Sequence, residues 1–228
     1  IHQIEMIPDI LASRYASLEI TSIWSPEGKV LLEREFWIAV MKGQRKLGVE
    51  IPETAIAAYE NVRDKIDLES ISHREQKLRH DVKSRIEEFC ELAGYEHIHK
   101  GLTSRDLTDN VEQLQILRSL RLVRSKAVAV LHQLADWSLR TKDIMLVGRT
   151  HNVPAQPITL GKRLAMFGEE IIFGLGRLDH LIENYPLRVL QGAVGTRLDQ
   201  LVLMNGNKKK VQELGEQVLE HLDCSTSF

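Results

Sequence analysis

The chain has 228 residues, 43% apolar and 27% charged, with a formal net charge of -2; it is long enough for one sizeable core or two modest ones. Basic and acidic residues are interspersed, so the basic stripe of a nucleic-acid binder is missing, and no stretch approaches the roughly 18 consecutive apolar residues of a membrane span. Two cysteines, Cys90 and Cys224, are too few for a disulfide framework, and Ile1 to Leu11 lack the basic-then-apolar pattern of a signal peptide, so packed thiols and a cytoplasmic location are expected.

Ser25-Pro26 predicts the first strong helix start, because serine can cap free amides and proline fits the first helical position. That helix is predicted to run to Leu47 and stop at Gly48. Pro52 opens a second, shorter helix, and Asp67 or Ser70 begins a third, predicted to run through His80 to Gly94. No glycine or proline lies between Gly101 and Gly148. Within that span Leu120, Val123, Ala127, Val130, Leu134 and Trp137 step by three and four, which predicts one buried helical stripe. Asp109 and Asn110 stand near its start, favourable beside the positive end of the helix dipole. A further long helix follows Pro157 and ends before Pro186, and another runs from Asn207 to Leu222, with Lys208-Lys209-Lys210 as its solvated start. No pair of short alternating apolar runs is bounded by turn residues, so the predicted class is all-α, with Ile144 to Val147 at most a short extended piece. The long helices are expected to bury their stripes against one another or against other copies of the chain.

Three polar segments interrupt this helical pattern: Arg79-His80-Asp81 inside the predicted third helix, His99 to Asp106 before the long helix, and Gly148 to Pro157 between two long helices. In the second, Gly101 allows a sharp turn, and the hydroxyls of Thr103 and Ser104 stand just before a helix start, a setting that favours an anion. Read alone, it is first of all an N-cap with a spare hydroxyl, since serine and threonine cap helices everywhere. In the third, two prolines are expected to hold His151 in a fixed direction, and histidine moves protons near neutral pH. Alone, His151 reads as a hydrogen-bonded structural histidine, and His80 as a helix residue paired with a neighbouring acid. Nine histidines are present, but none shows the His-x-x-x-His spacing of a zinc site, and no Cys-x-x-Cys, phosphate-cradling glycine loop or Gly-x-Ser-x-Gly elbow occurs.

Taken together, Gly101-x-Thr103-Ser104, Gly148-Arg149-Thr150-His151-x-x-Pro154-Ala155-Gln156 and Gly192-x-Val194-Gly195-Thr196 resemble the fumarase/aspartase superfamily. Lys77 to Val82 and Ala12 to Ser17 resemble its adenylosuccinate lyase branch in particular. Val153 and Gln191 depart from the residues common in relatives, glutamine and lysine, which bears on fine substrate contacts only. The resemblance implies a helical domain over residues 1–107 followed by the incomplete first part of a central long-helix bundle over 108–228. It implies that family chains continue past Phe228 into a loop whose serine is the catalytic base, so the chain is expected to be the N-terminal portion of a longer protein. It further implies a cofactor-free, metal-free β-elimination releasing fumarate from a small nucleotide substrate. By the same resemblance His151 is the general acid, His80 a substrate-binding histidine in the catalytic set, and Thr103 and Ser104 the carboxylate binders. Arg79 and Asp81 flank His80 in the binding segment, Arg14 and Tyr15 hold the phosphate end, and His99 is a further active-site histidine. Sites shared among the subunits of a homotetramer are implied too. The competing readings are argininosuccinate lyase or fumarase of the same superfamily, and a non-catalytic helical assembly module whose polar loops are only caps.

Overall fold

The computed structural model describes residues 9–224 and 226–227, so most of the segment read for a signal peptide, residues 1–8, lies outside the described residues. Helices dominate: α1 (Ile10–Tyr15), α2 (Leu18–Trp24), α3 (Pro26–Lys46), α4 (Glu53–Val62), α5 (Leu68–Leu78), α6 (Asp81–Ala93), α7 (Ser104–Arg140), α8 (Leu160–Glu183), α9 (Leu198–Leu203) and α10 (Lys208–His221). Four short strands complete it: β1 (Met145–Thr150) pairs antiparallel with β2 (Val153–Thr159), and β3 (Pro186–Leu187) pairs parallel with β4 (Thr226–Ser227). The chain divides into two compact units, one of residues 1–118 with 185–228, the other of residues 119–184, the division falling within α7.

In the first unit α3 is the centre. Ser25 caps it by accepting from the Gly28 amide at 3.0 Å, with Pro26 opening the first turn. Phe36, Trp37, Ala39, Val40 and Met41 are buried almost completely, so this helix hides most of its circumference rather than one stripe. It meets Tyr59 of α4, Phe89 of α6, Leu107, Val111 and Leu114 of α7, and Leu214 and Val218 of α10 in one core. Each large apolar side chain so buried contributes about 1.5–3 kcal/mol. A buried ion pair ties α3 to α6: Arg34 Nη2 reaches both Glu88 oxygens at 2.8 and 2.6 Å. Its Nη1 donates to the carbonyls of Val62, Arg63 and Lys65, capping the end of α4, so both terminal nitrogens of the buried guanidinium are paired.

The predicted third helix is two helices. The chain breaks where Arg79 takes the left-handed conformation (φ 55°) and His80 turns extended to cap α6, accepting the Lys83 amide on Nδ1 at 3.2 Å. With no glycine or proline at the break, composition carried no sign of it. Helices α1, α2 and α9, six or seven residues each, lack a periodic stripe long enough to announce them.

In the second unit the segment predicted to be a polar loop is a β-hairpin, which corrects the expectation of no sheet. Its turn is His151-Asn152, both at positive φ (47° and 64°), the signature of a tight type I′ connection between Thr150 and Val153. Gly161 starts α8 against the end of α7: a Cβ there would lie 2.3 Å from the Ser138 carbonyl oxygen, so only glycine fits. The predicted buried stripe on α7 is not buried within the chain, since Val123, Val130 and Trp137 are half exposed. The residues of α7 that do enter a core are Leu107, Val111, Leu114 and Leu117, one to three turns earlier.

Candidate functional site

The polar segment ahead of α7 is held from four directions. His99 and Gly101 both take positive φ (62° and 66°), folding the loop back on itself. Trp37 donates its indole N–H to His99 Nδ1 at 3.0 Å, which places the imidazole proton on Nε2. Gln44 donates to the Lys100 carbonyl at 2.8 Å and Gln200 to the Gly101 carbonyl at 2.6 Å. From inside, the fully buried Asp106 accepts the Thr103 amide at 3.1 Å on one oxygen and the Gln191 amide at 3.0 Å on the other, with the Gly192 amide between them at 3.1 and 3.2 Å. Arg188 stands 3.2 Å from the same carboxylate. Asp106 therefore fastens the Gly101-x-Thr103-Ser104 element to the Gly192-x-x-Gly195-Thr196 element, two motifs 85 or more residues apart in sequence. Asn110, one turn on, repeats the connection by exchanging both hydrogen bonds with the Val189 backbone at 2.8 and 2.9 Å.

Held in this way, Thr103 and Ser104 present hydroxyls that have no hydrogen-bond partner among the described residues, at the start of a 37-residue helix. Ser104 and Asp81 line one cavity of about 610 Å³ with Trp24, Lys29, Thr108 and Gln115. Asp81 is the first residue of α6, next to the His80 cap. Burial raises its pKa, but the hydrogen bond from Arg85, the Val82 amide and the charge of Arg85 outweigh that and hold the carboxyl below its usual range. His80 uses Nδ1 for the Lys83 amide, so its Nε2 carries the proton. His99 lies within electrostatic reach of His80: burial pushes the His99 pKa down to about 4, Asp106 opposes this, and His80 and Lys83 add to it. The first unit thus gathers two histidines with Nε2–H donors, two hydroxyls and a cavity wall of mixed charge, with Lys29 and Arg105 beside Asp81 and Glu112. Arg79, the left-handed end of α5, is exposed beside this group, and Arg14 and Tyr15 are exposed at the end of α1.

His151 belongs to the second unit, exposed at the tip of the β1–β2 hairpin. The turn, rather than the prolines, fixes its direction: Pro154 and Pro157 sit in β2 opposite Arg149 and Val147. Arg149 steadies the tip by donating to the Asn152 carbonyl at 3.1 Å. Among the described residues no group of three or more His, Cys, Asp or Glu side chains is placed to hold a metal ion. No helix there is long and apolar enough to cross a membrane.

A family model described as Lyase matches residues 17–220. This chain belongs to the lyase family. The resemblance to the fumarase/aspartase superfamily is thereby borne out, and the matched span covers the second unit, most of the first and every predicted site residue except Arg14 and Tyr15. The chain is 32% identical over 211 residues to the adenylosuccinate lyase of Schistosoma mansoni, covering 90% of the chain and 44% of that protein. It is 32% identical over 219 residues to the adenylosuccinate lyase of Saccharomyces cerevisiae, covering 93% and 45%. It therefore spans about half the length of the curated relatives it matches. In fold it is similar to the 3-carboxy-cis,cis-muconate lactonizing enzyme of Pseudomonas putida, with a TM-score of 0.78 at 21% identity over 96% of the chain and 50% of that structure.

Asp106, Gln44, Gln200 and Arg188 escaped the sequence reading as residues that hold this candidate site together. Asp106 had a usable signal, since Thr103-x-x-Asp106 is a capping pattern. The two glutamines had none, because a glutamine that turns inward looks like a surface glutamine in sequence.

Proposed function

We propose that the complete protein is an adenylosuccinate lyase of purine biosynthesis. In this reading it releases fumarate from adenylosuccinate to give AMP, and from the succinylated aminoimidazole carboxamide ribotide to give the free carboxamide. The observation that carries the reading is the 32% identity to two adenylosuccinate lyases over nine-tenths of the chain, in a stretch that contains the hydroxyl-bearing α7 start and the His80–Asp81 cap. A base takes the proton from the carbon beside one carboxylate of the succinyl arm. The bond from the neighbouring carbon to nitrogen breaks, its electron pair stays on nitrogen, and His151 supplies the proton that nitrogen takes up. The carbanionic intermediate carries its charge on the carboxylate, where Thr103 and Ser104 hydroxyls and the α7 amides can face it. His80 and His99, each with a proton on Nε2, can donate to the same anionic substrate, while Arg14, Tyr15, Arg79 and Asp81 complete its binding.

His151 and the His80 group lie in different units, and we assign each complete site to residues from several chains of a cytoplasmic homotetramer. The division into 1–107 and 108–228 is proposed on the same footing, as a division of the longer family chain. The complete protein given adenylosuccinate should form AMP and fumarate in equal amounts and leave argininosuccinate and malate untouched. Consumption of either of those instead would move the protein to another branch of the superfamily.

A further inference from the structure

Two acid–base pairs join α3 to α6, one residue apart on α3, and they differ in kind. In Arg34–Glu88 both carboxylate oxygens accept from Nη2, and Nη1 donates to three carbonyls. Glu33 is fully buried as well, yet neither of its oxygens accepts a hydrogen bond among the described residues. Its partner is the Arg85 guanidinium, with Nε 2.6 Å from Oε2, an ionic contact rather than an aligned hydrogen bond. Arg85 in turn spends Nη2 on Asp81 at 2.9 Å, and Asp81 is half exposed on the wall of the 610 Å³ cavity it shares with Ser104.

We propose that Glu33 is a positioning residue of this site, a buried carboxylate that acts through Arg85 to fix Asp81 on the cavity wall and the His80 cap beside it. A carboxylate buried without hydrogen bonds is a poor device for stability, and an apolar side chain would serve the core of α3 better. What it does supply is a buried acidic partner behind Arg85. The guanidinium is thereby held between two acids, and Asp81 cannot swing into solvent as an exposed aspartate otherwise would. Burial pushes the Glu33 pKa up to about 7 against the pull of Arg85 and Lys29, with Asp81 raising it and Arg34 lowering it. The effect on turnover rests on the lyase reading above; the effect on the α6 cap does not.

The test uses the complete protein with Glu33→Gln, Asp81→Asn and the double variant. In Glu33→Gln, hydrogen exchange at the Lys83 and Ser84 amides, which report the His80 cap, should speed up about tenfold while Phe89 in the same helix stays protected. The KM for adenylosuccinate should rise about tenfold with kcat within about twofold, and the double variant should be no worse than Asp81→Asn alone. Unchanged exchange at Lys83 and Ser84, or KM effects that multiply in the double variant, would overturn the proposal. If Glu33→Gln does not fold, Arg85→Lys, which keeps a charge but cannot span both acids, replaces it in the same cycle with the same expectations. A wild-type protein inert toward adenylosuccinate would sink the lyase reading alone, and the exchange measurement would still decide the role of Glu33.

Discussion

Replacing Asp106 by Asn keeps the shape of the side chain and removes its charge and one acceptor. In the native loop its two oxygens receive the amides of Thr103, Gln191 and Gly192, and Arg188 stands beside them. An asparagine must turn its NH₂ toward one side of this cluster. Turned toward Thr103, it strands a main-chain N–H against another donor, a loss of about 1–3 kcal/mol for a buried group. The hydrogen bonds to Gln191 and Gly192 survive but weaken, since charge-assisted bonds are roughly twice as strong as neutral ones. Arg188 loses its charged partner at 3.2 Å and keeps the Gly192 carbonyl at 2.9 Å and Asp109 at 3.6 Å. Summed, Asp106→Asn should destabilise the complete protein by about 3–5 kcal/mol, the range for breaking a buried charged pair. Urea denaturation of wild type and variant at one protomer concentration measures this, with Asp109→Asn, on the partly exposed side of the same arginine, expected to cost less than about 1 kcal/mol. A loss below about 1 kcal/mol for Asp106→Asn would show that the carboxylate does not join the two motifs.

His99 should make stability depend on pH. Its folded pKa, about 4, lies below the ordinary histidine value of 6.5, so the stabilisation is complete above pH 6.5 and is lost as pH falls from 6.5 toward 4. After discounting for its partial exposure the effect is on the order of 2 kcal/mol, and His99→Gln should flatten the melting-temperature profile in that window; an unchanged profile would place the imidazole in water. Gly101→Ala should cost about 1–2 kcal/mol, because the position has φ 66° and a Cβ would stand 2.8 Å from Gln200 Nε2; denaturation within experimental error of wild type would contradict the tight loop. His151→Gln in the complete protein should keep substrate binding and lose most of kcat, on the order of 100-fold or more, and a near-normal rate would remove it from the acid role.

Where a boundary rested on local chemistry, the sequence made it readable. Ser25-Pro26, Pro52 and Asn207 start helices because caps and proline act within one turn, and those helices stand where the residues place them. The break at Arg79-His80 was hidden because two ordinary residues take conformations that only their tertiary surroundings select. The hairpin was hidden for a related reason: its turn is His-Asn rather than the usual Asn-Gly, and two prolines sit within β2, where they argue against a strand. The stripe from Leu120 to Trp137 had the right period for burial, but period does not say what covers a face, and the second unit alone leaves much of it exposed. At the site, the residues that would touch substrate stood out through motif resemblance, whereas the side chains that hold them, Asp106, Gln44, Gln200, Glu33 and Arg85, became visible only through burial and hydrogen bonds.

The proposed sharing of one site between chains has a direct readout in subunit mixing. His151→Gln and His80→Gln versions of the complete protein, each inactive toward adenylosuccinate alone, should regain fumarate release when unfolded together and refolded. Some mixed tetramers would then contain sites with both histidines intact. If the mixture stays as inactive as its components while each variant still assembles, His151 and His80 do not serve a common site drawn from different chains.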